Sequence, residues 1–186
     1  MKPKGIILFH GAGGNRDHQV FLEIEGVSKI PILRHNFIYR QTDRKRPPPR
    51  VHKLVDEIFE VSANFASKIG VSQSSLVVGG RSLGGRAASM AVANGLPSRG
   101  LALLSYPLHP PGKQDSLRVD HLHKICRPTI FISGDRDPFG SPALLRQYAN
   151  RITSEVSFHT LEKQNHDPKE YATIAKLISN WLAVLR

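Results

Sequence analysis

A serine flanked by glycines, Gly80-Arg81-Ser82-Leu83-Gly84, follows one apolar run and opens a stretch rich in alanine. The G-x-S-x-G spacing suits a sharp turn from strand to helix, where neighbouring backbone leaves no room for side chains on either side and the serine hydroxyl stands exposed. The free amides and positive dipole end of the following helix can stabilise an oxyanion there. A serine hydroxyl is a weak nucleophile until a base takes its proton and an acid orients the base. In this setting the partners follow in chain order, acid and then histidine. Asp137, in Ser133-Gly134-Asp135-Arg136-Asp137-Pro138, and His166, in Asn165-His166, stand in that order, each just beyond a predicted strand. Asp135 competes with Asp137, and the Gly134-x-x-Asp137 spacing favours the later residue. His159 falls inside a predicted strand, and His121 and His123 precede one, so these read as packing or surface residues. The pentapeptide alone is a weak signal, because a glycine-rich turn produces the same letters, and His166 alone would read as a solvated loop residue. The ordered set carries the weight.

A second glycine-rich loop, His10-Gly11-Ala12-Gly13-Gly14, can offer a backbone amide opposite the one that follows the serine. The oxyanion hole is therefore assigned to the N–H groups of Ala12 and Leu83. His10 is read as holding the loop rather than moving protons. A phosphate-binding reading is weaker, since neither G-K-[ST] nor G-x-G-x-x-G is present. No histidine pairing at helical spacing supports a metal, and no cofactor is expected.

These residues need elements to place them. Short apolar runs at 5–9, 36–39, 76–78, 101–106, 129–132 and 155–161 read as six strands. Between them, helical periods are predicted around 17–29 and over 51–69, 84–94 and 141–150, the last with Ser141 as N-cap and Pro142 at its first position. Asp167-Pro168-Lys169-Glu170 has the form of a capping box opening a final amphipathic helix. Strands alternating with helices predict an α/β fold, a three-layer α/β/α sandwich around a doubly wound, mainly parallel sheet of about six strands. In such sheets, function gathers beyond the carboxyl ends of the strands.

Length and composition bound the rest. The 186 residues, 40% of them hydrophobic, fit one domain over 1–186 and exclude a disordered or disulfide-stapled chain. Cys126 is the single cysteine, so neither an internal disulfide nor a cysteine-based zinc cluster is available. The run Ile6 to Phe9 is too short for a signal-peptide core, and no stretch approaches a membrane span, so a cytoplasmic protein without membrane contact is expected. The net charge of +11 attracts anions. Seven basic residues, Arg34, Arg40, Arg44, Lys45, Arg46, Arg50 and Lys53, share residues 34–53 with one acid, Asp43, giving that segment +6. One reading is a polyanion-binding surface. The other is a solvated loop kept extended by Pro47 to Pro49. No nucleic-acid motif or interleaved aromatic accompanies the charge, so nucleic acid is the weaker partner.

The motifs resemble those of the α/β-hydrolase superfamily, most closely its small dienelactone-hydrolase-like branch with the testis-expressed family related to a histone acetyltransferase complex subunit. The resemblance rests on His10 to Gly14, Gly79 to Ala88, Ser105-Tyr106-Pro107-Leu108-His109, Phe131 to Asp137 and Asn165-His166. It implies a Ser82, Asp137, His166 triad and a serine hydrolase acting on a carboxylic ester or similar small acyl substrate, with Arg81, Tyr106 and His109 in substrate binding. It also implies an alternative, a non-catalytic scaffold of the same fold. Two leading strands usual in the superfamily are missing, so six parallel strands with no antiparallel edge are expected. Only residues 107–128 separate the fourth strand from the fifth, too few for a lid domain, so Tyr106 and His109 should line an open site. The basic segment, on the same sheet edge as Ser82, should bias the enzyme toward anionic substrates.

Overall fold

A computed structural model describes residues 2–42 and 46–185. Its centre is a sheet of six strands, all parallel: β1 (Gly5–Phe9), β2 (Ile32–His35), β3 (Leu76–Arg81), β4 (Gly100–Leu104), β5 (Thr129–Gly134) and β6 (Val156–Leu161), in the order β2-β1-β3-β4-β5-β6. The interior strands are buried on both faces, which is why they read as unbroken apolar runs rather than as alternating patterns.

Alternate residues of each strand serve opposite layers. Ile6, Leu8, Val77, Ala102, Leu104 and Ile130 pack against α1 (Gln19–Val27) and α6 (Tyr171–Val184). Ile7, Phe9, Val78, Leu101, Leu103 and Phe131 pack against α3 (Val51–Lys68), α4 (Leu83–Ala93) and α5 (Pro142–Ala149). In α3 the buried positions Leu54, Val55, Ile58, Ser62, Phe65 and Ala66 form one stripe, and the helix ends before Gly70, whose φ of +68° suits a residue without Cβ. Ser141 caps α5 as expected, accepting a hydrogen bond from the Leu144 amide.

Two boundaries differ from expectation. The second strand is 32–35, not 36–39, and residues 38–42 form a short helix, α2 (Ile38–Thr42). As an edge strand, β2 is half-buried and carries the mixed sequence Ile-Leu-Arg-His. The stronger apolar signal comes from Phe37, just before α2, and Tyr39 within it: Phe37 stacks on Phe9 at 5.4 Å and on Tyr39 at 6.1 Å. The capping box is not formed either. Helix α6 starts at Tyr171 with Glu170 as its N-cap residue, whose side chain makes no capping bond. Asp167 is drawn to other partners, described below. Residues 107–128 contain one 3₁₀ turn at Leu122–Lys124 and no lid domain.

Candidate active site

Strand β3 and helix α4 meet at Ser82, whose φ of +52° and ψ of −117° lie outside the regions favoured by side-chain-bearing residues. The turn is held from both sides. The Ser82 amide donates to the Leu104 carbonyl (2.9 Å) and the Ser82 carbonyl accepts from the Arg86 amide (2.9 Å). At Gly80 and Gly84 a Cβ would run into the Phe9 carbonyl, so the flanking glycines answer a steric need. Ser82 stays partly exposed.

The loops after β5 and β6 bring the other two residues. Asp137 follows β5, and its carboxylate is fully buried. His166 follows β6. Its Nδ1 lies 2.8 Å from Asp137 Oδ2 and 3.0 Å from Oδ1, and its Nε2 lies 2.8 Å from Ser82 Oγ. Asp137 Oδ1 also accepts the Phe139 amide (2.9 Å), which fixes the carboxylate toward the imidazole. Asp135 is exposed and accepts from the Gln164 amide at 3.2 Å. With the Nδ1 proton held by a carboxylate, the free lone pair of His166 faces the serine hydroxyl, the arrangement required of a general base.

The loop after β1 approaches from the far side. His10 is buried; its Nε2 accepts the Phe37 amide (3.2 Å), leaving Nδ1–H to donate to the Gly11 carbonyl (2.7 Å). Burial lowers the His10 pKa from 6.5, so the ring is a neutral strut. The Tyr39 hydroxyl, its pKa pushed up to about 12 by burial, donates to the Ala12 carbonyl (3.1 Å). Arg40 donates to the carbonyls of Gly13 (2.9 Å) and Gly14 (3.1 Å). The loop's carbonyls are thus occupied, while the amides of Ala12 and Leu83 have no acceptor among the described residues.

A family model for the alpha/beta hydrolase domain matches residues 2–176. The chain belongs to the alpha/beta-hydrolase family. Solved structures share the fold at low identity. A dienelactone hydrolase from Anabaena variabilis is 17% identical with a TM-score of 0.76, the match covering 99% of this chain and 88% of that one. The type II thioesterase BorB from the borrelidin biosynthetic cluster is 16% identical at 0.71, covering 97% and 93%. A Bacillus cereus carboxylesterase is 18% identical at 0.69, covering 100% and 89%.

Within this α/β-hydrolase, Tyr106 and His109 are placed differently from expectation, and Arg81 meets partners in the loop after β6. Tyr106 is 0% exposed and His109 5%, so neither lines an open site. Tyr106 points into the α3/α4 layer, where burial raises its pKa and its ring meets Phe131 edge-on. His109 sits behind Phe139, and Phe139 presents its own ring to His166 at 4.5 Å. Arg81 is 15% exposed and turned along the sheet edge: its Nη2 donates to the His166 carbonyl (3.0 Å) and pairs with Asp167 Oδ1 (3.1 Å).

Three residues escaped the sequence reading. Phe139 packs against His166. Asp167 joins Arg81, Lys169 and His18, the last through Nε2 at 3.2 Å. His18 in turn accepts the Val20 amide on Nδ1 (3.3 Å) as the cap of α1, and burial lowers its pKa from 6.5. Adjacency of Asp167 to His166 was the one available signal, and the capping-box pattern concealed it.

A second Ser–His contact exists at Ser89 and His121, with Oγ and Nε2 2.8 Å apart. Ser89 is wholly buried in α4 and donates its proton to the Arg86 carbonyl (2.7 Å), so it accepts from Nε2–H. Burial lowers the His121 pKa to about 4. This pair joins residues 107–125 to α4 and offers no base to a nucleophile.

The basic segment proves less uniform than its count. Arg34 pairs with Asp17 (2.6 Å) and Glu25 (3.0 Å), and Arg40 serves the loop carbonyls. Arg46, Arg50 and Lys53 are exposed, while Asp43, Arg44 and Lys45 lie outside the described residues.

Proposed function

We propose that the protein is a serine hydrolase that cleaves a carboxylic ester or similar acyl bond through an acyl-enzyme. The observation that carries this reading is the unbroken chain from Asp137 through His166 to Ser82, with 2.8 Å contacts on both sides of the imidazole. His166 Nε2 takes the Ser82 Oγ proton as Oγ attacks the acyl carbon. The amides of Ala12 and Leu83 receive the oxyanion. The proton passes from Nε2 to the leaving oxygen, and water activated by the same nitrogen then releases the acid. Asp137 stays ionised and orients the ring. The names of the related structures, an esterase, a thioesterase and a dienelactone hydrolase, denote acyl-bond cleavage in those proteins and support the same class here. Placement in the testis-expressed branch rests on the Gly80 to Arg86 and Tyr106 to His109 motifs, and a cytoplasmic setting on the lone Cys126. A fluorophosphonate probe should label the wild-type protein and leave Ser82→Ala unlabelled. Equal labelling of both would sink the proposal, and a folded wild type that resists the probe would identify a scaffold.

A further inference from the structure

Two arginines, Arg86 and Arg118, have no acidic partner among the described residues. Arg86 lies in the first turn of α4, its amide bonded to the Ser82 carbonyl, so it stands one helical turn from the serine. Arg118 belongs to the connection between β4 and β5 that crosses α4. Its amide donates to the Leu108 carbonyl (2.7 Å), and the Leu108 amide donates to the carbonyl of Phe139 (2.8 Å), whose ring rests on His166. One arginine is thus tied by backbone to Ser82 and the other to the residue packed on the histidine.

Both guanidinium groups are half-buried, and no salt bridge or side-chain hydrogen bond engages either among the described residues. Arg86 Nε is fully buried without a partner. Desolvation lowers the pKa of both. Arg118 lowers that of Arg86 further, and the opposing influence of Tyr106 falls short of reversing the shift. Asp120, two residues beyond Arg118, is exposed and acts on His121 instead. Two other partly buried arginines have acidic partners: Arg34 has Asp17 and Glu25, and Arg81 has Asp167. A half-buried cation with no counter-charge costs stability. Two such cations in one region suit an anion, because guanidinium forks match planar or tetrahedral oxyanions well.

We propose that Arg86 and Arg118 form a subsite that receives an anionic oxygen-bearing group, a carboxylate or a phosphate, carried by the acyl substrate one helical turn from Ser82. The word substrate rests on the hydrolase reading; the anion site does not. The proposal moves the preference for anionic substrates from the 34–53 segment to these two side chains.

Turnover of p-nitrophenyl hemiglutarate is compared with that of p-nitrophenyl pentanoate, an ester of equal acyl length without the charge. Charge-assisted hydrogen bonds predict about a tenfold or greater preference in kcat/KM for the hemiglutarate. Arg86→Gln and Arg118→Gln should each bring the ratio toward one. The double variant Arg50→Gln, Lys53→Gln, which removes exposed charge from the basic segment, should retain it. Separately, calorimetry on Ser82→Ala measures binding of glutarate and of inorganic phosphate, which needs no turnover, and the tighter of the two identifies the group. The same titration on Ser82→Ala, Arg86→Gln should show at least tenfold weaker binding. A wild-type ratio near one, a ratio that survives both arginine variants, or a Ser82→Ala protein that binds neither anion overturns the subsite. If no ester is cleaved while glutarate or phosphate still binds in an Arg86-dependent way, the hydrolase reading falls and the anion site stands.

Discussion

At the scale of single residues, two aspartates two positions apart have opposite surroundings. Asp137 is buried, locked by the Phe139 amide and in contact with His166 Nδ1, whereas Asp135 is exposed and holds the Gln164 amide. A buried carboxylate facing Nδ1 fixes the tautomer that leaves Nε2 free to act as base. Asp137→Asn replaces that carboxylate with an amide and admits the wrong tautomer, so kcat should fall by about 10³- to 10⁴-fold. Asp135→Asn should stay within a fewfold of wild type. Steady-state kinetics on the two variants decides between them, and equal losses would mean that Asp135 has a role the geometry does not show.

At the scale of elements, the site is an arrangement of strand ends, and Arg81 ties two of them. It leaves β3 one residue before Ser82 and reaches the carbonyl of His166 and the carboxylate of Asp167 in the loop between β6 and α6. His18, capping α1, meets the same carboxylate. In the proposed reaction Arg81 is therefore a positioning residue, acting on His166 through its backbone. Displacement of a catalytic group by about 1 Å can cost on the order of 10²-fold in rate. Arg81→Met should lower kcat by about 10- to 100-fold with little change in KM. Arg81→Lys should rescue it incompletely, because one ammonium cannot span carbonyl and carboxylate as the guanidinium does. A KM effect that exceeded the kcat effect would return Arg81 to substrate binding.

At the scale of the whole molecule, stability depends on pH through histidines that fold away neutral. Burial lowers the pKa of His10, His18 and His121, that of His121 from 6.5 to about 4. Between those two values the unfolded chain binds a proton that the folded chain refuses at His121, so unfolding becomes easier as pH falls. The effect begins as pH drops through about 6.5, the ordinary histidine pKa, and levels off below about 4, with His121 alone contributing on the order of 3 kcal/mol. Urea denaturation at pH 7 and pH 4.5 should show the loss, and His121→Gln, whose amide can still donate to Ser89 Oγ, should reduce it. An unchanged pH dependence in that variant would mean that His121 is solvated when folded.

Local chemistry and period made much of the molecule legible from its letters. The G-x-S-x-G turn is dictated by steric demands at Gly80 and Gly84, the interior strands by burial on both faces, and α3 by its apolar stripe; each cause acts over a few adjacent residues. The order of Ser82, Asp137 and His166 along the chain was legible for the same reason, since every one of them follows a strand. Where a side chain competes among distant partners, the sequence misled. Phe37 and Tyr39 looked like a strand because stacking on Phe9 needs the same residue types that a strand does. Asp167 looked like a helix cap until Arg81 and His18, remote in sequence, engaged it. Tyr106 and His109 turned inward, and the charge of the 34–53 segment was partly neutralised by Asp17 and Glu25 across the fold. Composition fixed the sum of the charge at +11. Only tertiary packing decided which cations found acidic partners and left Arg86 and Arg118 without one among the described residues, because pairing depends on distances and desolvation that the folded chain alone defines.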